Sequence, residues 1–323
     1  MRLHENIKLF KESVNITSLK LDIPDVYVEK DYWVTFAIRQ IFNSEVAENV
    51  VFKGGTALLK CFELIERFSE DIDLVIIRSG NESSNQLTTK IRKIGKIVSK
   101  SLPEIIHEKL TNKKGNIRKT VHTYTKLFEG EYFQAHSYIV VEATWLGYFE
   151  PYTNAKVSSF IYQMMKDADQ IDLAQEYEME PFDVLVLKPE RTLCEKIMSL
   201  VRFSYTEDPM TDLGLKIRHC YDLTKMLENA ELSAFFDSND FDKMLLKVAN
   251  DDIVSFKNNN QWLKYRPEQA LIFSEAEKVW SELKKIYNSG FRNMVFGDLP
   301  DEREVFQAIL KIRERVKHIE WSI

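Results

Sequence analysis

The feature that most constrains this chain is a Gly-Gly-Thr triplet at residues 54–56, directly after the apolar run Val-Val-Phe at 50–52. Paired glycines interrupt regular structure, so the pattern predicts a short strand at 50–52 and a helix over 56–65 with Thr56 as its N-cap. A helix that begins after two residues without Cβ atoms offers its N–H groups and its positive end to an anion. Gly54 and Gly55 are therefore candidates for phosphate binding; the alternative is a plain tight turn between strand and helix.

Two acidic residues, Asp71 and Asp73, begin the segment DIDLVII at 71–77, which is rich in β-branched residues and predicts a strand. Side chains alternate between the two faces of a strand, so both carboxylates are expected on one face. Adjacent carboxylates repel each other unless a cation lies between them, and carboxylate-held divalent metals serve phosphoryl transfer. Glu142, within the predicted strand 138–146, is a candidate third carboxylate; the alternative is an ordinary outward-facing position.

The order of the predicted elements indicates two domains. Strands mix with helices at 29–43 and 84–101 in the first half, whereas the segments after Pro189 have helical periodicity throughout. We therefore predict an α+β fold with a mixed sheet and flanking helices over 1–155, followed by a mainly α-helical domain over 156–323. Residues 184–187 could still belong to the sheet. The later helices are expected at 189–203, 213–229, 241–249, 268–287 and 302–317.

Cysteine content and hydropathy exclude several classes of protein. The three cysteines are far apart and form no CxxC pair, which argues against a disulfide framework and a zinc site and favours a reducing compartment. The N-terminus lacks the apolar core of a signal peptide. No apolar run approaches the roughly 18 residues that a membrane span requires. The sequence therefore predicts a cytoplasmic protein without a membrane partner.

Charge is distributed unevenly along the chain. The net charge is −6, yet residues 90–126 contain eleven Lys or Arg and two acids. Such a local excess indicates an anionic partner, and a nucleic-acid backbone fits it better than a small molecule does. The alternative is a solvated basic surface. The candidate RNA-binding residues are Lys93, Lys96, Lys113, Lys114, Arg118 and Lys119.

The segments KGGTALLKCF (53–62) and RFSEDIDLVI (67–76) resemble the nucleotidyltransferases of the AbiEii/AbiGii toxin family, within the polymerase-beta-like superfamily. The resemblance continues in VEKDYWVT (28–35), LKPERTLCEKIMSL (187–200) and RHCYDL (218–223). It implies a nucleotidyltransferase-like sheet domain and a helical domain that completes the active-site cleft. Without it, Glu29, Lys30 and Asp31 are interpreted as a capping cluster ahead of an amphipathic helix.

The resemblance also assigns roles to particular residues. Gly54, Gly55 and Thr56 would hold the triphosphate of an NTP, with Ser69 and Arg218 in support. Asp71 and Asp73 would bind Mg²⁺ or Mn²⁺, with Glu142 as the third carboxylate. Lys196 would reach the nucleotide phosphates, and Asp222 would be the second functional residue of the helical half. The alternatives are a solvated lysine for Lys196 and an i, i+4 surface pair for Arg218 and Asp222.

The function implied by the resemblance is the transfer of NMP from an NTP to an RNA acceptor, the 3′ end of tRNA, by the toxin of a toxin–antitoxin or abortive-infection system. Two alternatives remain open from the sequence: a nucleotidyltransferase that modifies a protein side chain, and a non-catalytic module that binds nucleotide or RNA. A cognate antitoxin is a further expected partner, and the acidic region 228–254 is a candidate surface for it.

Overall fold

A computed structural model describes residues 2–132 and 135–323. The chain divides into two compact units. The first comprises residues 1–63, 67–145 and 152–186, and the second comprises 64–66, 146–151 and 187–323. The division at 186 lies later in the chain than the boundary at 155 expected from the sequence. The reason is that two further strands, Tyr152–Val157 and Phe182–Leu187, belong to the sheet.

The first unit is built on a seven-stranded mixed sheet. Its strands are β1 Val50–Lys53, β2 Ile72–Ile76, β3 Glu104–Ile105, β4 Ile117–His122, β5 Ile139–Thr144, β6 Tyr152–Val157 and β7 Phe182–Leu187. They are arranged in the order β3-β4-β5-β2-β1-β7-β6. β2 is antiparallel to β1 and parallel to β5, and β4 is antiparallel to β5. The strand that carries Asp73 therefore lies in the middle of the sheet, with Glu142 on its neighbour.

Helices flank this sheet within the first unit. They are α1 Ile7–Leu21, α2 Asp25–Phe42, α3 Gly54–Phe62, α4 Ser84–Ser99, α5 Phe160–Asp167 and α6 Ile171–Glu176. Helix α4 begins with a capping box in which Ser83 and Gln86 bond to each other's backbone N–H groups. Its apolar residues pack against β4, and its basic residues face away from the core.

The second unit is helical in its described part. Its α-helices are α7 Pro189–Phe203, α8 Pro209–Leu215, α9 Ile217–Glu228, α10 Ala230–Phe236, α11 Asn239–Ser255, α12 Leu271–Ser274, α13 Ala276–Ile286 and α14 Glu302–Val316. Pro189 occupies the first turn of α7, where its missing N–H leaves no hydrogen bond unmade. Helix α7 packs against both α9 and α11 through apolar side chains.

The predicted fold class is confirmed: a mixed sheet with flanking helices precedes a helical half. Four local predictions were wrong. The helix expected over 268–287 is interrupted and forms a 3₁₀ turn followed by α12 and α13. The helix over 213–229 is two helices, α8 and α9. Thr56 is not an N-cap, because α3 begins at Gly54. Glu29, Lys30 and Asp31 do not precede a helix but lie inside α2, where all three are buried. No helix in the described ranges is long and apolar enough to cross a membrane.

Candidate active site

The Gly-Gly pair forms the tight junction between β1 and α3. Gly54 has a φ of +83°, a left-handed conformation that glycine adopts without strain. A Cβ on Gly54 would overlap the Asp73 carboxylate, and a Cβ on Gly55 would lie 2.8 Å from Nη2 of Arg67. Position 54 therefore favours glycine on both conformation and space, whereas a Cβ at Gly55 would require the Arg67 guanidinium to shift.

Gly54→Ala is expected to reduce both stability and activity. Left-handed backbone at a non-glycine residue costs about 1–3 kcal/mol, and the new methyl group also displaces Asp73. Gly80→Ala is a matched control, because Gly80 has a φ of +84° but open space around it. Thermal unfolding should show both variants destabilised, and nucleotidyl transfer should fall only in Gly54→Ala. Equal activity of the two variants would contradict the proposed contact with Asp73.

Asp73 lies in a row of charged residues that crosses four strands. Its register partners are Lys53 on β1 and Glu142 on β5, and Glu142 is in turn the partner of Lys119 on β4. Register partners point to the same face of a sheet. Nζ of Lys119 lies 2.7 Å from Oε2 of Glu142. Two lysines thus enclose two carboxylates, and Glu142 faces the same side of the sheet as Asp73.

The electrostatics of this row single out Asp73. Loss of hydration, together with the nearby carboxylates of Glu142 and Asp71, raises the pKa of Asp73 to about 7. Lys53 and Lys119 act in the opposite direction but do not cancel the effect. Asp73 is therefore the carboxyl group whose negative charge is least compensated here, and a bound cation would stabilise it.

The donor set fits a hard divalent cation. Mg²⁺ prefers carboxylate oxygens and usually binds through one or two of them, with substrate phosphates completing its shell. Asp73 supplies such an oxygen beside the start of α3, and the carboxylate of Asp71 is near enough to affect the pKa of Asp73. No group of three or more His, Cys, Asp or Glu in residues 2–132 and 135–323 is already gathered as a metal site. The ion pair of Glu142 with Lys119 is consistent with this, because it directs that carboxylate towards the lysine.

Three odd-numbered side chains of residues 67–73 lie against the start of α3. Arg67 and Ser69 lie beside Gly55, and Oγ of Ser69 is 3.1 Å from Oγ1 of Thr56. The Thr56 hydroxyl thus contacts this segment instead of capping the helix.

Arg67, which is almost fully buried, is absent from the sequence-based candidates. The spacing of Arg67, Ser69, Asp71 and Asp73 by two residues could have identified it.

In the second unit, Lys196 and Asp222 form a buried ion pair. Nζ of Lys196 on α7 lies 2.6 Å from Oδ2 of Asp222 on α9, and the Asp222 side chain is fully buried. Arg218 lies one turn before Asp222 on α9 and is half-buried. The interpretation of Lys196 as a solvated surface lysine is wrong, and the pair is formed between two helices. It remains a prediction that these residues contact a nucleotide.

His219 is held neutral beside this pair. Burial, with the ammonium groups of Lys196 and Lys216, keeps its pKa well below the usual range, although Asp222 acts in the opposite direction. Its Nδ1 has no hydrogen-bond partner among the described residues.

The free energy of unfolding should therefore depend on the protonation of His219. Below pH ~6.5 the unfolded chain binds a proton at this histidine that the folded chain does not, so stability falls as pH falls. We expect the stability of the wild type relative to His219→Gln to be constant above pH ~7 and to decrease below pH ~6.5, by at most about 1.4 kcal/mol per pH unit. Denaturant unfolding from pH 5 to 8 measures this. A difference that does not change with pH would show that His219 titrates normally in the folded protein.

The six predicted RNA-binding residues do not share one surface. Lys93 and Lys96 are exposed on α4, and Lys114 is exposed between β3 and β4. Lys113 is also exposed, but its Nζ lies 2.5 Å from Oε1 of Glu104.

The remaining two residues are neighbours on β4 and point to opposite faces of the sheet. Arg118 faces α4, since a Cβ on Gly95 would lie 3.8 Å from its Nε. Lys119 faces the carboxylates and pairs with Glu142. Lys119 therefore belongs to the charged row rather than to the exposed basic surface.

The chain is similar to one known protein family and, at low identity, to solved structures. Curated proteins gave no match. Among solved structures, the chain is similar to MenT4, a nucleotidyltransferase toxin from Mycobacterium tuberculosis H37Rv, with a TM-score of 0.45 and 16% identity over 94% of this chain and 96% of that chain. The family described as nucleotidyl transferase AbiEii toxin, type IV toxin–antitoxin system, matches residues 37–311. Since that match covers most of the sequence, the chain belongs to the AbiEii family of nucleotidyltransferase toxins of type IV toxin–antitoxin systems.

Proposed function

We propose that this enzyme transfers a nucleoside monophosphate from an NTP to an RNA acceptor, the 3′ end of tRNA, in a reaction that requires Mg²⁺. The observation that carries the proposal is the pairing of Asp73 with Glu142 in the sheet, next to the Gly-Gly start of α3. It supports a site where a triphosphate and a divalent cation meet. As the toxin of a toxin–antitoxin system, the enzyme also has a cognate antitoxin.

In this reaction the start of α3 binds the triphosphate. The N–H groups near Gly54 and Gly55 have no earlier turn to bond to, and the helix end is positive. Asp71 and Asp73 would hold Mg²⁺, with Glu142 completing the set. The bound metal supplies charge neutralisation for the displacement that releases pyrophosphate. The glycines, the hydroxyls of Thr56 and Ser69, and the carboxylates orient the NTP for attack by the acceptor hydroxyl.

The choice of RNA as acceptor is supported by the exposed lysines. Lys93, Lys96 and Lys114 are exposed in the segment with the excess of positive charge. Neutralising phosphates releases condensed counterions, so affinity for RNA should fall steeply as salt rises. These lysines would bind the body of the RNA and would not take part in the chemistry.

The proposal is tested by labelling. The protein is incubated with Mg²⁺ and each α-³²P-labelled NTP in turn, with either total tRNA or a protein extract, alongside an Asp71→Ala/Asp73→Ala variant. Label on tRNA that is lost in the variant supports the proposal and identifies the base. Label on protein would replace the RNA acceptor with a protein side chain. Binding of NTP without any labelling would contradict catalysis on both acceptors.

The basic surface is tested separately with Lys93→Glu/Lys96→Glu/Lys114→Glu. We expect weaker tRNA binding and a shallower salt dependence of the affinity, by roughly one unit of log–log slope per lost phosphate contact. NTP binding should not change. Lys278→Glu/Lys285→Glu, two exposed lysines on α13, is the matched control. Equal tRNA affinity of the two variants would exclude this surface as the RNA-binding site.

A further inference from the structure

Three consecutive charged residues, Glu29, Lys30 and Asp31, are buried within α2 and have no part in the chemistry described above. We propose that Lys30 and Asp31 are positioning residues. They hold the two segments that carry the active site, α3 with its Gly-Gly start and residues 67–71 with their carboxylate end, at a fixed distance from each other. The inference rests on the proposed function in one respect: kcat is measured with the acceptor proposed there.

Asp31 fixes α3. Its Oδ1 lies 2.6 Å from Nζ of Lys60, and both side chains are at most 2% exposed. Lys60 lies on α3, downstream of Gly54 and Gly55. The second oxygen of Asp31 accepts the N–H of Phe160 at 2.8 Å, and Lys60 also donates to the carbonyl of Ser158 at 3.1 Å. One carboxylate therefore joins α2 to both α3 and the start of α5.

Lys30 fixes the segment on the other side. Its ammonium lies 3.8 Å from Oε1 of Glu70 and donates to the carbonyl of His136. The same Glu70 oxygen accepts the N–H of His136 at 3.1 Å. Glu70 directly precedes Asp71, so this network determines where the carboxylate pair begins.

A ring contact supports the same arrangement. Tyr27, one turn before Lys30 on α2, stacks on Phe68 with ring centroids 4.3 Å apart. Phe68 and Glu70 are the even positions of the segment, whereas Arg67, Ser69 and Asp71 are the odd ones. Helix α2 thus holds one side of a segment whose other side lies against the start of α3.

Stability alone does not account for these charges. Desolvation of two ions can exceed their attraction, and a buried ion pair replaced by apolar residues is often as stable or more so. Glu70 Oε2 and Glu29 Oε2 are buried and have no hydrogen-bond partner within residues 2–132 and 135–323. A buried polar atom without a hydrogen-bond partner lowers the stability of the folded protein. What these residues supply is a defined separation between α3 and residues 67–71, and misplacing reacting groups by about 1 Å can reduce turnover about 100-fold.

The test uses paired substitutions that remove the charges but keep the backbone acceptors. These are Asp31→Asn/Lys60→Met and Lys30→Met/Glu70→Gln. We expect unfolding midpoints within about 5 °C of the wild type, a kcat lower by about 10- to 100-fold, and a KM for NTP changed by less than about threefold. Hydrogen exchange should become faster in 54–62 and 67–73 and should not change in α1.

The exposed pair of Lys20 and Asp167, which joins α1 to α5, is the control. Lys20→Met/Asp167→Asn should leave kcat and exchange unchanged. Tyr27→Leu removes the ring contact without altering charge. It tests the proposal even if a double variant does not fold. We expect faster hydrogen exchange in residues 67–73 of this variant. Normal kcat and normal exchange in a stable double variant, or in Tyr27→Leu, would overturn the proposal. Exchange is independent of the acceptor, so failure to label tRNA would refute the proposed function and not this inference.

Discussion

Asp73→Asn should abolish nucleotidyl transfer while leaving the fold intact. The amide retains the shape of the side chain but cannot neutralise a divalent cation, so we expect kcat to fall on the order of 10³-fold. Steady-state labelling measures this. Asp183→Asn is a matched control, because Asp183 is an exposed strand aspartate on β7 that pairs with Lys156. Transfer by Asp73→Asn within threefold of the wild type would show that Asp73 does not hold the metal.

The same variant should be more stable than the metal-free wild type at alkaline pH. The folded-state pKa of Asp73 is raised to about 7, well above the value of about 3.9 in an unfolded chain, so this carboxyl group lowers stability progressively from about pH 4 to pH 7 and by a constant amount at higher pH. The asparagine removes that penalty. Unfolding midpoints at pH 6 and pH 8 should therefore show a larger gain for Asp73→Asn at pH 8. A smaller gain at pH 8 than at pH 6 would indicate that the carboxylate is well compensated.

The second large effect is expected at Lys196. Lys196→Met removes the ammonium that neutralises the fully buried carboxylate of Asp222. Breaking one partner of a buried pair typically costs about 3–5 kcal/mol. Denaturant unfolding should show this loss in Lys196→Met and its recovery in Lys196→Met/Asp222→Leu. Lys278→Met, on an exposed pair of α13, should change stability by less than about 0.5 kcal/mol.

Activity separates the two interpretations of this pair. If Lys196 contacts the nucleotide, the stable double variant should remain inactive, with a weaker apparent affinity for NTP. A double variant that is both stable and fully active would show that Lys196 and Asp222 serve packing alone.

The sequence predicts those parts of the site that depend on patterns of a few neighbouring residues. Two glycines after an apolar run place the β1–α3 junction, and the apolar run after Asp71 predicts strand β2, although that strand begins at Ile72 and Asp71 lies just before it. The ion pair of Lys119 with Glu142 could not be predicted from such local patterns. The position of Lys119 opposite Glu142 depends on the register between β4 and β5, which alternation alone does not determine. From the sequence alone, Lys119 is therefore expected to belong to the basic RNA-binding surface.

The buried charges of α2 show a second limit. Lys30 and Asp31 resemble surface residues in sequence because their partners, Glu70 and Lys60, are 40 and 29 residues away along the chain. Burial of a charge is decided by such tertiary partners rather than by helical periodicity. The domain boundary has a similar origin, since the pairing of β7 with β1 and the packing of α5 on α1 and α2 assign residues up to 186 to the sheet unit.

The alternation of side chains along residues 67–73 limits the insertions and deletions that this segment can tolerate. Inserting or deleting one residue there would exchange the two sides of the segment, so that Phe68 and Glu70 would face the start of α3 and the functional side chains would face α2. Relatives that keep the activity should therefore conserve the length of this segment even where its residues differ. An alignment with single-residue gaps between positions 67 and 73 would mark members of the family that have lost the reaction.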